Sequence, residues 1–161
     1  MAYELKVDGM AEISEKLTKL EEQAPGVAAR ALYEGAGIMA REINQGADQI
    51  KTSPFKYASN GQTRLPSPEE KAIVKQAAAG IAKFDKNGTE VNTSVGFRNA
   101  GYAELAGKTV PVPKIVNAIN SGTSFMPKQP FIRQAAKTGA AKAMQAMRES
   151  IEKDFEEITK E

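Results

Sequence analysis

The sequence predicts an α+β domain: a small antiparallel sheet packed by two long helices, with a long C-terminal helix. Three observations predict it. Ile132, Ala136, Ala140, Ala143, Met147, Ile151, Phe155 and Ile158 step by three or four, which is one amphipathic helix of roughly 30 residues and about 45 Å. Asn87-Gly88 stands between Ile81 and Phe84 on one side and the alternating Val91, Thr93 and Val95 on the other, the pattern of a β-hairpin over 80–97. The 161 residues make a single domain, 1–161, long enough to bury about two-thirds of the surface the unfolded chain exposes.

The remaining elements follow in chain order. Tyr3, Leu5 and Val7 alternate with Glu4 and Lys6, a short strand, and Asp8-Gly9 turns the chain. Ile13, Leu17, Leu20 and Ala24 form a stripe that predicts a helix over 10–23. Pro25 suits the first turn of a second helix over 25–45, with Ala28, Leu32, Gly35, Met39 and Ile43 on one face. From Asn44 to Ser67 periodicity disappears, and a loop near 46–66 reads as a binding loop or an arm that orders against a partner. Ser67-Pro68-Glu69-Glu70 is a capping box that starts a helix running to about Ala79. Residues 98–112 read as a second loop of the same kind, punctuated by Gly and Pro, and 114–120 fits a short helix as well as a strand.

Composition excludes much chemistry. There is no Cys, His or Trp, which removes disulfides, thiol nucleophiles, Cys/His zinc sites and histidine acid–base catalysis. No run approaches about 18 apolar residues, so no membrane contact is expected. Met1 to Lys6 lacks an apolar signal core, which points to a cytoplasm-like compartment. Charge is segregated. Residues 98–148 carry Arg98, Lys108, Lys114, Lys128, Arg133, Lys137, Lys142 and Arg148 against Glu104 alone. Residues 149–161 carry six acids against Lys153 and Lys160. This fits a surface facing nucleic-acid phosphate, head-to-tail complementarity between copies, or a solvated helix with unlike ends.

Four motif matches fail on context. Gly35-Ala36-Gly37-Ile38-Met39-Ala40 fits a dinucleotide fingerprint but falls inside a predicted helix with no strand before it. Ser53-Pro54-Phe55-Lys56 and Lys137-Thr138-Gly139 match elements of penicillin-recognising serine enzymes, yet Pro54 splits the first and the second falls in a helix. Asn87-Gly88-Thr89 and Asn92-Thr93-Ser94 read as turn and strand residues instead of glycosylation sites. Glu69/Glu70 belong to a helix start, where negative charge is favourable, and Glu156/Glu157 to an exposed tip. No catalytic, metal or cofactor residue is expected, and the chain is not read as an enzyme.

One segment carries recognition. Ile119-Asn120-Ser121-Gly122-Thr123-Ser124-Phe125-Met126-Pro127-Lys128-Gln129-Pro130-Phe131-Ile132-Arg133-Gln134-Ala135 resembles a signature of the tail-completion, or head–tail joining, proteins of tailed bacteriophages, the minor tail protein Z-like family. The shared pattern is Gly-Thr-Ser, then Met-Pro, then Pro-Phe, an aliphatic residue, Arg and Ala, opening a long C-terminal helix. The N-terminal strand, "VDGM" and two Ala- and Glu-rich helices are similar too, so both ends, about half the chain, are covered. Thr52-Ser53-Pro54 and Asn60-Gly61 stand where the family has a Pro-Val-Asp-Thr-Gly loop, and Asn117 to Thr123 stands where it has an aromatic strand.

The resemblance implies a virion protein assembled in the host cytoplasm. It would form a homo-oligomeric ring, six- or twelve-fold, in the neck between head connector and tail, with DNA passing through. Its partners would be further copies, portal or head-completion proteins, and tail-tube or tail-terminator proteins. Gly122, Met126, Pro127, Pro130, Phe131 and Arg133 are the candidate assembly residues, with Phe131 either in the subunit core or in an inter-subunit pocket. Lys51, Lys56, Arg64, Arg98, Lys108 and Lys114 are the candidates to face DNA or a partner. The alternatives are a tail-terminator ring and, in another class, a small DNA-binding regulator using the basic 98–148 block.

Overall fold

The computed structural model describes residues 10–54, 63–88 and 90–160, with side chains from residue 15 onward. The strand expected at Tyr3 to Val7, and Phe55 and Lys56, lie outside the described residues. Two long helices, α1 (Met10–Asp48) and α4 (Phe131–Lys160), frame the fold. Between them in sequence come α2 (Pro68–Ala77), the strands β1 (Gly80–Asn87), β2 (Glu90–Gly96), β3 (Tyr102–Leu105) and β4 (Lys108–Pro111), and α3 (Val112–Ser121). The class is α+β, as the sequence predicts, but the strands form two separate two-stranded antiparallel sheets, β1–β2 and β3–β4.

Two helices were expected up to residue 45, and there is one. Pro25 lies inside α1 and does not break it. An internal proline costs about 3 kcal/mol through a lost hydrogen bond and a ring clash. Packing of the segment that follows offsets this: Val27, Ala31, Gly35, Ala36 and Ala40 are all buried. α4 runs antiparallel along the same stretch. Arg30 Nε donates to Asp154 Oδ2 at 2.7 Å, Met147 covers Gly35, Lys142 Nζ meets Glu42 Oε1 at 2.6 Å, and Gly46 approaches Phe131.

The buried line of α4 is rotated from the one expected. Phe131, Ala135, Gly139, Ala143, Ser150 and Ile158 are buried, whereas Ala136, Ala140 and Phe155 are exposed. Closeness selects this face more than hydrophobicity does. A Cβ on Gly139 would stand 3.0 Å from Met39 Sδ and Glu42 Cγ. Small residues allow two helix backbones to approach, so a Gly and a Ser occupy positions a hydrophobicity pattern skips.

The β1–β2 hairpin lies along α1. Asn44 fixes its start, its side chain donating to Ala79 O at 3.1 Å and accepting from Ala79 N at 2.6 Å. Tyr33 meets Phe84 edge-on at 6.1 Å. The register shifts between Ile81 and Lys83, a bulge whose Ala82 carbonyl accepts from Asn99. Residues 98–112 were expected to be loop; 102–111 instead form the β3–β4 hairpin. Its turn is Ala106-Gly107, both at positive φ (51° and 73°), as a two-residue primed turn requires. An alanine there hides the usual Asn-Gly signal.

The core lies where α1 ends and α4 begins. Ile43, Ala47 and Ile50 of α1 and its extension meet Val74 of α2, Phe97 after β2, Val112, Ile115, Val116 and Ile119 of α3, and Met126, Phe131 and Ala135. The ambiguous 114–120 segment is helix because a four-residue apolar set at helical spacing has this core to enter.

Candidate assembly corner

Residues 122–133 turn the chain from α3 into α4, and the turn is held from three sides. α3 ends at Gly122, whose N–H donates to Ala118 O at 3.0 Å and whose φ is 79°. A Cβ there would also stand 2.9 Å from Lys128 N and 3.0 Å from Met126 O, both backbone atoms. Glycine is therefore required for conformation and for space. Thr123 then closes a tight turn: its N–H donates to Met126 O at 2.9 Å, and its Oγ1 accepts from Met126 N at 3.1 Å. Gln129 N donates back to Ile119 O at 2.8 Å. Pro127 and Pro130 restrict the backbone on either side of Gln129.

α4 begins without an acidic first turn. Its N–H groups find partners from α3 and from the corner itself: Ile132 N donates to Asn120 Oδ1 at 3.2 Å and Gln134 N to Pro130 O at 3.0 Å. The corner is also tied to the segment just past α1. Gln129 accepts from Lys51 N at 2.8 Å through Oε1 and donates to Lys51 O at 2.9 Å through Nε2, a reciprocal pair that mimics a strand contact. On its other side Phe125 O accepts from Arg64 N at 2.7 Å.

Arg64 carries that last tie into α2. Its guanidinium makes a bidentate pair with Glu70, both bonds at 2.7 Å, and lies 6.0 Å from the Phe125 ring centroid. Glu70 Oε2 also accepts from Ser67 N, and Ser67 Oγ accepts from Glu70 N, so the capping box read in the sequence is complete. Burial alone would push the Glu70 carboxyl up. The hydrogen bonds from Arg64 and Ser67 and the Arg64 charge outweigh it and hold the carboxyl below its ordinary range. Lys71 Nζ donates to Asp48 O at 2.7 Å and Ile50 O at 2.8 Å, which closes the C-terminal end of α1 beside the corner.

The predicted residues sort as follows. Met126 and Phe131 are 2% and 4% exposed inside their own subunit, and Phe131 meets Phe97 edge-on at 6.3 Å. This decides for the core and against an inter-subunit pocket: both act by fixing the corner. Pro127 and Arg133 are exposed, and Pro130 is half-buried. Arg64 is half-buried and its charge is matched within the subunit by buried Glu70. Lys51 lines a cleft of about 450 Å³ together with Lys128, Gln129 and Phe131. Arg98, Lys108 and Lys114 are exposed but stand on three different elements, the turn after β2, β4 and α3. Gln129, Asn120 and Lys71 carry the corner's ties without any sequence signal, since each bonds backbone distant from it in the chain. The Gly35 motif is helix interior, and Thr138 of Lys137-Thr138-Gly139 bonds the carbonyls of Gln134 and Ala135 within α4. Among the described residues no acidic cluster is grouped to hold a metal ion. No protein-family model, curated protein or solved structure matches this chain.

Proposed function

We propose that the chain is a structural subunit of the neck of a tailed phage, forming a six- or twelve-fold ring that joins the head connector to the tail and lets DNA pass. One observation carries the reading: the segment that resembles the tail-completion signature is the corner that fixes the direction of α4. Ring closure needs the same angle in every copy, because a heterologous contact that varies gives open filaments. Gly122, the Asn120 cap, the Gln129–Lys51 pair and the Arg64 tie each remove a degree of freedom from that angle. The exposed bases Lys51 and Lys128 at the corner cleft suit weak, sequence-independent contact with passing DNA.

The test is to build particles without this polypeptide and image the head–tail junction. The expected result is separated heads and tails, with joining restored by the added protein. Infectious, intact particles lacking it would refute the reading. A free DNA-binding regulator is the competing class. It predicts tight duplex binding that falls steeply with salt, whereas a neck subunit binds duplex weakly and associates with portal, head-completion or tail-tube proteins.

A further inference from the structure

We infer that Asn87 is a site of spontaneous modification, at which the folded chain converts its own asparagine to aspartate and isoaspartate. Asparagine is among the thermolabile residues. The reaction needs its side-chain amide, the backbone nitrogen of the next residue, and room for the two to meet. Glycine gives the most room, because no Cβ flanks its nitrogen. Gly88 follows Asn87, takes a φ of 60°, and apart from its chain neighbours has no atom within 4 Å of the place a Cβ would occupy. Both residues are exposed, and among the described residues none hydrogen-bonds the Asn87 side chain. Other asparagines are held. Asn44 exchanges two bonds with the Ala79 backbone, Asn99 donates to Ala82 O at 3.1 Å, Asn117 accepts from Ser121 at 3.1 Å, and Asn120 accepts from Ile132 N at 3.2 Å.

Asn87 is the last residue of β1 and pairs with Glu90. An extended backbone keeps the side-chain carbon away from the next nitrogen, so this end pair has to open first. Little holds it shut. The β1–β2 sheet has only two strands, a size that is marginal by itself, and Lys83 to Asn87 are all exposed. The hairpin is pinned lower down, where Tyr33 meets Phe84 and Thr93 Oγ1 donates to Lys83 O at 3.1 Å. In the opened tip Gly88 N gives up its proton to water and bonds Asn87 Cγ. The Cγ–Nδ2 bond breaks, and ammonia leaves with a proton regained from water. A water molecule then opens the cyclic imide. Cleavage at Cγ gives aspartate; cleavage at the Asn87 backbone carbonyl gives isoaspartate, whose main chain runs through Cγ. Either product adds a negative charge beside Glu90. Isoaspartate also adds a carbon to the main chain and ends the pairing with Glu90. The core cluster lies outside 83–90, so the change stays at the tip. The inference does not depend on the neck reading.

The test incubates the purified, folded chain at physiological temperature and pH. Trypsin cuts after Lys86 and Arg98, and the peptide starting at Asn87 is followed by chromatography, with fragmentation in the mass spectrometer locating the site. The expected result is progressive loss of the Asn87 amide into two products of equal mass, isoaspartate the larger. The amides of Asn92, Asn99, Asn117 and Asn120 should remain. Asn87→Gln should abolish the loss, and unchanged circular dichroism checks that this exposed substitution keeps the fold. Amide exchange in the converted chain should quicken at the hairpin tip and stay unchanged in α1 and α4. An Asn87 amide that persists while a synthetic 84–91 peptide converts in the same buffer would overturn the inference. Equal loss at Asn92 or Asn99, or conversion only in urea, would overturn it as well.

Discussion

Replacing Phe131 by alanine tests the corner most directly. The side chain is 4% exposed at the first residue of α4, and its ring meets Phe97 edge-on. Removing a buried phenyl costs about 3–5 kcal/mol through lost transfer energy and the cavity left behind. Roughly 0.5–1.5 kcal/mol of the native contact is the edge-to-face pair. The site collapses poorly, because Pro130 restrains the chain just before it and Gly46 of α1 already lies against the Phe131 carbonyl, where a Cβ would be 3.2 Å away. The upper half of the range, about 4 kcal/mol, is therefore expected. Urea denaturation reads it as a lower midpoint at unchanged slope, and heating as a fall of roughly 8–16 °C for a chain of this length. Phe131→Leu keeps most of the volume and should lose only about 1–1.5 kcal/mol, the size of the ring-specific part and a minor shape change. A Phe131→Ala protein within about 1 kcal/mol of wild type would show that the ring is not buried in its own subunit, and the assignment of the corner to the core would fall.

Three further outcomes follow from the same geometry. Gly122→Ala should destabilise by more than the roughly 1–2 kcal/mol of left-handed backbone alone, since its Cβ would meet Lys128 N and Met126 O; a loss below about 1 kcal/mol in urea would contradict the close approach. Because Glu70 titrates below the ordinary glutamate value of 4.5, its stabilisation is complete above that value and is lost as pH falls through and below it. Glu70→Gln should thus cost roughly 2–3 kcal/mol at pH 7 and flatten the decline between about pH 5 and 3; a parallel pH profile would dismiss the pair as the cause. Ala106→Asn, at an exposed turn position with φ 51°, should stabilise by a few tenths to about 1 kcal/mol, and a destabilised variant by thermal melting would dispute the turn geometry.

What was legible in the sequence was what local chemistry specifies. Ser67 and Glu70 close a capping box within four residues, so it was readable. The hairpin over 80–97 was readable too, but its turn falls one residue later than the Asn87-Gly88 pair expected: Asn87 still pairs with Glu90 as a strand residue, and Gly88 alone of the two takes a positive φ, 60°. Each failure has a tertiary cause. Pro25 reads as a boundary because its penalty is local, while the packing of Val27, Ala31 and Gly35 that overrides it is not. The β3–β4 hairpin was hidden because Ala106 takes a positive φ that alanine rarely adopts, and hydrogen bonding across the two strands sustains it. The true face of α4 was missed because contact with α1 selects small residues, and hydrophobicity does not distinguish Gly139 or Ser150 as buried.

That last miss has a consequence for α4. A helix whose apolar residues all faced α1 would leave a polar surface outward and need nothing more. Here the close-packed face is filled by Ala135, Gly139, Ala143 and Ser150, and larger apolar residues, Met144 and Phe155, are left on the outside. Burial within the subunit therefore does not account for them. The corner at one end of α4 and the exposed residues along its length are therefore separable: the first fixes where the helix points, and the second adds nothing to that angle. Mutations at Gly122 or Phe131 should consequently appear in stability, whereas a polar residue at the exposed Met144 should leave the urea midpoint within about 0.5 kcal/mol of wild type, and a larger loss would show that this side chain is buried after all.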